Sequence, residues 1–272
     1  MNPALRLFRP VNAAMSVIGV IISAIVAVGT GFVNHLQLVI LGSLVVFMVL
    51  SGGNIMNDVF DSEIDRINHP ERPIPSGKIT KKTATYIYVF LYIGALVIAF
   101  LFLPLISFPV AVVAELLLIF YEVKGKKMGL PGNIIISALI GSIFLYGGLI
   151  FNQPERLLLM FLLAFLSNVS RELIKDVQDM EGDVDRKTFP KIHGKDAALN
   201  LSSAMIIATV AISFLPYLLN ILSIYYAIAV VFCDISFVST LFIQYRDVAK
   251  GQNLSKISMI LGLASYMVGG IF

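Results

Sequence analysis

Charge is what this chain has least of. Asp, Glu, Lys and Arg together make up 14% of its 272 residues, where an ordinary soluble domain carries about 25%. With 58% hydrophobic residues and a mean hydropathy of +0.88, the composition excludes a soluble globular protein. Cysteine is nearly absent as well. Cys233 stands alone inside an apolar run, which excludes a disulfide framework and reads as a small packed residue. The three histidines, His35, His69 and His193, are scattered in loops and make no metal-ligand cluster. No stretch resembles a nucleotide-binding loop or a nucleic-acid module. The N-terminal MNPALRLFRP has no small-residue cleavage signature after it, so the first apolar segment is expected to be retained.

What is present is apolar and segmented. A helix needs about 20 predominantly apolar residues to cross a bilayer. Nine segments qualify: 13–32, 36–60, 82–103, 105–123, 133–150, 155–175, 197–216, 219–243 and 256–272. The predicted fold is an all-α polytopic membrane protein, one domain over 1–272, with nine transmembrane helices around a central cavity. The N-terminus and the loops near 61–82, 124–132, 176–196 and 244–256 hold every Lys and Arg except Arg156, counting Arg171 and Lys175 at the end of the sixth helix. The positive-inside rule puts these loops and the N-terminus in the cytoplasm, and the odd helix count puts the C-terminus outside.

The few acids are concentrated in a pattern that occurs twice. DVFDSEID (Asp58 to Asp65) and DVQDMEGD (Asp176 to Asp183) match position by position at an offset of 118 residues, each at the end of an apolar segment. This predicts an internal repeat of helices two to five and six to nine, with helix one extra. Glu115 and Asp234, one acid within a span of each half, are read as inward-facing protonated or hydrogen-bonded groups. The glycines at 52, 53, 147, 148, 269 and 270 are read as close-packing sites. On a helix Asn54, Asn57, Asp58, Asp61 and Asp65 fall on one face. Carboxylates stacked next to lipid repel one another and require positive charge, for which Mg²⁺ with its oxygen ligands is the natural candidate. Arg66, Arg72, Lys78, Lys124, Lys126, Lys127, Arg171 and Lys175 surround the two motifs. Acids with metal, bases nearby and a greasy body beside them suit a polyprenyl diphosphate at the membrane surface.

Asn57-Asp58-x-x-Asp61-x-x-x-Asp65, then RPIPSG (Arg72 to Gly77), with Asp176-x-x-Asp179-x-x-x-Asp183 in the second half and Arg9-Pro10-x-Asn12 at the start, resembles the UbiA superfamily of intramembrane prenyltransferases. The resemblance covers nearly the whole chain. It implies Mg²⁺-dependent transfer of an isoprenyl group from its diphosphate to a lipophilic acceptor. The metal would be held by Asn57, Asp58, Asp61 and Asp65, and by Asp176, Asp179 and Asp183. Asp61, Asp65, Asp179, Asp183 and Lys124 would be catalytic. Arg9, Asn12, Asn54, Arg72, Tyr121, Lys124, Tyr146 and Lys175 would bind substrate, the tyrosines by facing an allylic cation. The family's Tyr-x-x-x-Lys element is met by Tyr121 and Lys124 with one residue fewer between them, Phe120 taking the family's spacing. Within the superfamily, HPERPIPSGKIT and KTFPKIHGKDAA resemble archaeal members that join geranylgeranyl diphosphate to geranylgeranylglyceryl phosphate, the second ether bond of archaeal membrane lipid. An aromatic acceptor of quinone or haem synthesis is the alternative within the family. A membrane transporter with an acidic ion site is the alternative from another class.

Overall fold

The computed structural model describes residues 3–180 and 187–272. Among them every regular element is a helix. The chain runs through α1 (Pro3–Leu7), α2 (Pro10–Val28), α3 (Leu36–Phe60), α4 (Ser62–Asn68), α5 (Lys81–Phe102), α6 (Ser107–Val123) and α7 (Leu130–Ile150). It continues through α8 (Pro154–Gln178), α9 (Phe189–His193), α10 (Lys195–Ile212), α11 (Leu215–Leu218), α12 (Ile224–Arg246) and α13 (Val248–Ile271). Two 3₁₀ turns, Gly29–His35 and Gly125–Lys127, join α2 to α3 and α6 to α7. Seven stretches among the described residues are long and apolar enough to cross a membrane. The first of these, Pro10–Phe60, contains both α2 and α3, and α6 is shorter than the others at 17 residues.

Local chemistry sets the helix starts. Proline opens α2, α7, α8 and α9 within the first turn, where its missing N–H would have had no partner and its φ is already helical. Thr80 caps α5 by accepting from the Thr83 amide, and Asp247 caps α13 by accepting from the Lys250 amide. That last cap corrects the expected boundary. α13 begins at Val248 rather than near residue 256, because the polar first turns are held against α12 and hidden there, with Gln252 and Ser255 buried.

The bundle is organised around α2, which packs against α3, α7, α8 and α13. One apolar core gathers α3, α5 and α6 around Val45, Ile55, Leu91 and Ala95. A second gathers α8, α10, α12 and α13 around Leu157, Met160, Ile206, Tyr226 and Phe237. The glycines act as close-approach sites, as expected. A Cβ on Gly52 would stand 2.4 Å from the Tyr92 ring, and one on Gly269 would stand 2.2 Å from Tyr226 Cβ. The outside of the bundle is apolar too. Phe90, Ile93, Val97 and Leu101 form an exposed stripe on α5, and Ile228, Phe232, Ile235 and Phe242 form one on α12. Such surfaces are stable against lipid, not water; the chain is a multi-pass membrane protein.

The first acid motif does not lie on one continuous helix. α3 stops at Phe60, Asp61 occupies the junction with φ −85° and ψ 4°, and α4 starts at Ser62. The hydrogen bonds Asp61 N–Asn57 O and Asp65 N–Asp61 O bridge the break. α8 stops in the same way, with Asp179 at φ −88° and ψ 0° after Gln178.

Candidate active site

The ends of α3, α6 and α8 converge on one cavity. It has a volume of about 510 Å³ and a predominantly apolar wall. At one end stand Arg9, Asn12, Asn54, Asn57, Tyr121, Glu122, Arg171, Glu172 and Lys175. At the other stand Ser213, Tyr226, Asp234 and Tyr266. Ser213 follows the last turn of α10 and Tyr226 lies in the first turn of α12, so the cavity runs through the bundle from the motif-bearing ends to the opposite side. A smaller polar recess beside it is lined by Tyr121, Lys126, Asn133, Lys175, Asp176, Asp179 and Thr188.

Each acid of the first motif faces a cation. Arg9 Nη2 donates to Asn57 Oδ1 at 2.8 Å and to Asp58 Oδ1 at 2.7 Å. Arg9 reaches them from a left-handed backbone, φ 47° and ψ 68°, immediately before Pro10 opens α2. A non-glycine residue there is strained by roughly 1–3 kcal/mol, and the charge-assisted bonds to Asn57 and Asp58 offset that strain. Arg72 Nη1 donates to Asp65 Oδ2 at 2.6 Å and lies 3.6 Å from Asp58. Burial pushes the Asp65 carboxyl above the ordinary carboxylate range, and Arg72 opposes the rise. Lys126 Nζ lies 2.9 Å from Asp61 Oδ2 and also contacts Glu122. The Asn57 amide donates to both Glu122 oxygens at 3.2 and 3.4 Å. In the second motif the Asn133 amide donates to Asp176 Oδ2 at 2.8 Å, and Glu172 pairs with Arg171 and, at 3.9 Å, with Lys175.

The structure therefore brings together most of the residues expected from sequence. Arg9, Asn12, Asn54, Asn57, Tyr121 and Lys175 line the main cavity, and Asp176 and Asp179 line the recess. Asp58, Asp61 and Asp65 stand behind the wall, held by Arg9, Lys126 and Arg72. Asp183 lies outside the described residues. Two of the expected residues lie elsewhere. Lys124 is exposed at the end of α6 and lines neither space, because the 3₁₀ turn that follows directs Lys126 inward instead. Tyr146 packs into the core around α3 and α5, away from the cavity wall, and Phe144, Tyr226, Phe237 and Tyr266 are aromatic residues of the wall beyond the rim. Glu115 is buried away from the cavity, whereas Asp234 lines it and accepts from Ser213 at 2.8 Å; the two acids do not meet. Glu122 and Glu172 went unread in the sequence. The signal was there for the first of them: Glu122 and Lys126 are i and i+4, the spacing of a helical ion pair.

Mg²⁺ prefers one or two carboxylates and completes its octahedron with water and phosphate oxygens. Among the described residues no three acid, His or Cys side chains converge on one point, so those residues build no complete cage. The carboxylates and the Asn57 carbonyl are hard oxygen donors, and those of the first motif already attract Arg9, Arg72 and Lys126. This donor set fits a cation whose remaining positions are filled by substrate.

The family model for UbiA prenyltransferases matches residues 16–260. The chain belongs to the UbiA prenyltransferase family. It is 36% identical to the digeranylgeranylglyceryl phosphate synthase of Methanosphaera stadtmanae over 278 aligned positions, covering 100% of each chain. It is 35% identical to the enzyme of that name from Thermococcus kodakarensis, covering 98% of this chain and 97% of the relative. A solved structure concerned with digeranylgeranylglyceryl phosphate synthase in membranes superposes with a TM-score of 0.80 at 36% identity, covering 99% of this chain and 98% of that one. A UbiA homologue from Archaeoglobus fulgidus, bound to DMAPP and Mg²⁺, shares the fold at a TM-score of 0.70 and 19% identity, over 97% of this chain and 99% of that one. Membership sets the transporter reading aside.

Proposed function

We propose that the chain transfers the geranylgeranyl group of geranylgeranyl diphosphate to geranylgeranylglyceryl phosphate, releasing diphosphate, with Mg²⁺ as cofactor. The observation that carries this reading is a cavity that joins a charged rim to a long apolar interior, in a chain aligned end to end with synthases of that name. The head group belongs at the rim and the prenyl chain inside. The whole chain, 1–272, acts as one prenyltransferase domain that crosses the membrane nine times, with α2, α3, α5, α6, α7, α8, α10, α12 and α13 as the crossings. Helix starts support an internal repeat: Leu36 and Pro154 are 118 positions apart, Ser107 and Ile224 are 117 apart, and Leu130 and Val248 are 118 apart. The distribution of Lys and Arg supports a cytoplasmic active site, with the N-terminus inside and the C-terminus outside.

Asn57, Asp58 and Asp61, with Asp65 behind them, and Asp176, Asp179 and Asp183 would hold the metal through oxygen. Mg²⁺ supplies neutralisation of the diphosphate oxygens and polarisation of the leaving group. The chain's own residues do the rest. Lys126, poised between Asp61 and Glu122, moves its charge toward the diphosphate as the C–O bond breaks with its electron pair going to the leaving oxygen. Tyr121, at the rim, faces the carbon that becomes electron-poor. The apolar wall around it excludes water and so protects the allylic cation from hydrolysis. The acceptor hydroxyl attacks that carbon, and a motif carboxylate takes its proton.

The test is direct. Purified protein with Mg²⁺ and geranylgeranyl diphosphate is offered geranylgeranylglyceryl phosphate or 4-hydroxybenzoate, and the products are weighed by mass spectrometry. Digeranylgeranylglyceryl phosphate is expected from the first and no adduct from the second. An adduct with the aromatic acceptor alone would overturn the assignment of acceptor while leaving the reaction class intact.

A further inference from the structure

We propose that Arg171, Lys175 and Lys256 form a metal-independent seat for a phosphate monoester, and that its occupant is the phosphate of the acceptor. The proposal rests on the transferase reading above and deepens it. All three side chains line the main cavity. Arg171 and Lys175 are i and i+4 on α8 and share a face. Lys256 comes from α13, which packs on α8, close enough to feel the charges of Arg171, Lys175, Glu172 and Asp179.

Glu172 is buried and pairs with Arg171 and Lys175, and Asp179 belongs to the second acid motif. Lys256 makes no ion pair among the described residues. Three cations facing one cavity attract an anion more strongly than any one of them does. The positive-inside rule accounts for basic residues in loops. Arg171, Lys175 and Lys256 in addition line the cavity, and ionisable groups in that position mark function.

Position distinguishes Arg171 and Lys256 from the diphosphate end: both line the main cavity and neither lines the recess of Asp176 and Asp179, which Lys175 shares. On α8, Asp176 lies roughly 140° around the helix from Arg171 at 3.6 residues per turn. Asp176 turns toward Asn133 of α7, whereas the basic face turns toward α13. The acid face needs metal to hold an anion; the basic face does not. A phosphate monoester carries a charge of about −1.5 to −2 near neutral pH and suits a guanidinium fork flanked by ammonium groups. The hydroxyl of a glyceryl phosphate that attacks the donor is separated from its phosphate oxygen by two carbons. Its phosphate must therefore sit beside the diphosphate, and a basic face adjoining an acid face provides that arrangement.

The experiment varies each substrate separately for wild type, Lys256→Gln, Arg171→Gln and Lys256→Arg, each checked for thermal unfolding. Both glutamine variants should raise the KM for geranylgeranylglyceryl phosphate by about tenfold or more while leaving donor KM and the Mg²⁺ requirement within about twofold. Lys256→Arg should retain most of the acceptor affinity. In wild type, inorganic phosphate should compete with the acceptor and not with the donor, a measurement that needs no variant to fold. A rise in donor KM alone, or phosphate competing with the donor alone, assigns the cluster to the diphosphate and overturns the proposal; so does an acceptor KM unchanged in both glutamine variants. If wild type transfers nothing to the phosphorylated acceptor but does modify 4-hydroxybenzoate, the transferase reading has failed at its acceptor, and this seat with it.

Discussion

At the scale of residues, the proposed leaving-group role of Lys126 is tested against Lys124, two positions away. Lys124 ends α6 and is exposed; Lys126 turns back to Asp61 and Glu122, with its side chain only 7% exposed. The turn between α6 and α7 makes that difference. Gly129 has φ +66°, and a Cβ on Gly132 would stand 2.3 Å from the Gly125 carbonyl oxygen, so only a close-packed glycine turn brings Lys126 under the motif. Lys126→Ala is expected to lower kcat/KM by about a hundredfold or more, roughly 2.7 kcal/mol of transition-state stabilisation. It should also lower the melting temperature, because removing one partner of a buried ion pair costs about 3–5 kcal/mol. Lys124→Ala should stay within about threefold of wild type, as a charge whose neighbours preserve the orientation bias. Kinetics with donor varied at fixed acceptor, alongside thermal unfolding in detergent, separates the two. Equal effects from both would remove Lys126 from the leaving-group role.

At the scale of elements, α3 carries the site and depends on how closely it approaches α5. Gly52 lies against the Tyr92 ring and Gly53 against Leu118, directly before Asn54 and Asn57 on the cavity wall. Alanine would be the better helix former by up to about 1 kcal/mol, but overpacking a tight contact costs about 1–3 kcal/mol. Gly52→Ala is therefore expected to destabilise the protein by about 1–2 kcal/mol. Its activity should fall with it, because α3 must shift. Replacing Tyr92 with Leu in the same chain should return most of the lost stability, since the ring is the atom group in the way. A melting temperature that fails to recover in the double variant would place the strain elsewhere.

At the scale of the whole molecule, sidedness is the open property with the clearest test. Ser76 lies exposed in the loop after the first motif, and Glu155 is exposed in the first turn of α8 at the other end of the bundle. With Cys233 replaced by Ser, since its buried thiol donates to the Ser258 carbonyl at 3.2 Å and a hydroxyl can do the same, single cysteines at 76 and 155 should react with a membrane-impermeant maleimide from opposite faces. Reactivity from the same face would sink the nine-crossing topology and the cytoplasmic active site together.

The sequence by itself determined the class of solvent, the positions of most spanning helices, the paired acid motifs and the family, because each is written in local composition or in spacing along the chain. Transfer free energy acts residue by residue, so an apolar run is legible without knowing its neighbours. Only the tertiary structure decided which side chains reach the cavity. The pairs Lys126–Asp61, Arg9–Asp58 and Asn133–Asp176 join residues 65, 49 and 43 positions apart, and no local pattern specifies which partner a charge finds across the bundle. The break at Asp61, the inward turn of Lys126 and the withdrawal of Tyr146 into the core follow from that packing. A buried charge must find an opposite charge wherever the fold supplies one, and where that partner stands is a property of the bundle, not of the run of residues on either side.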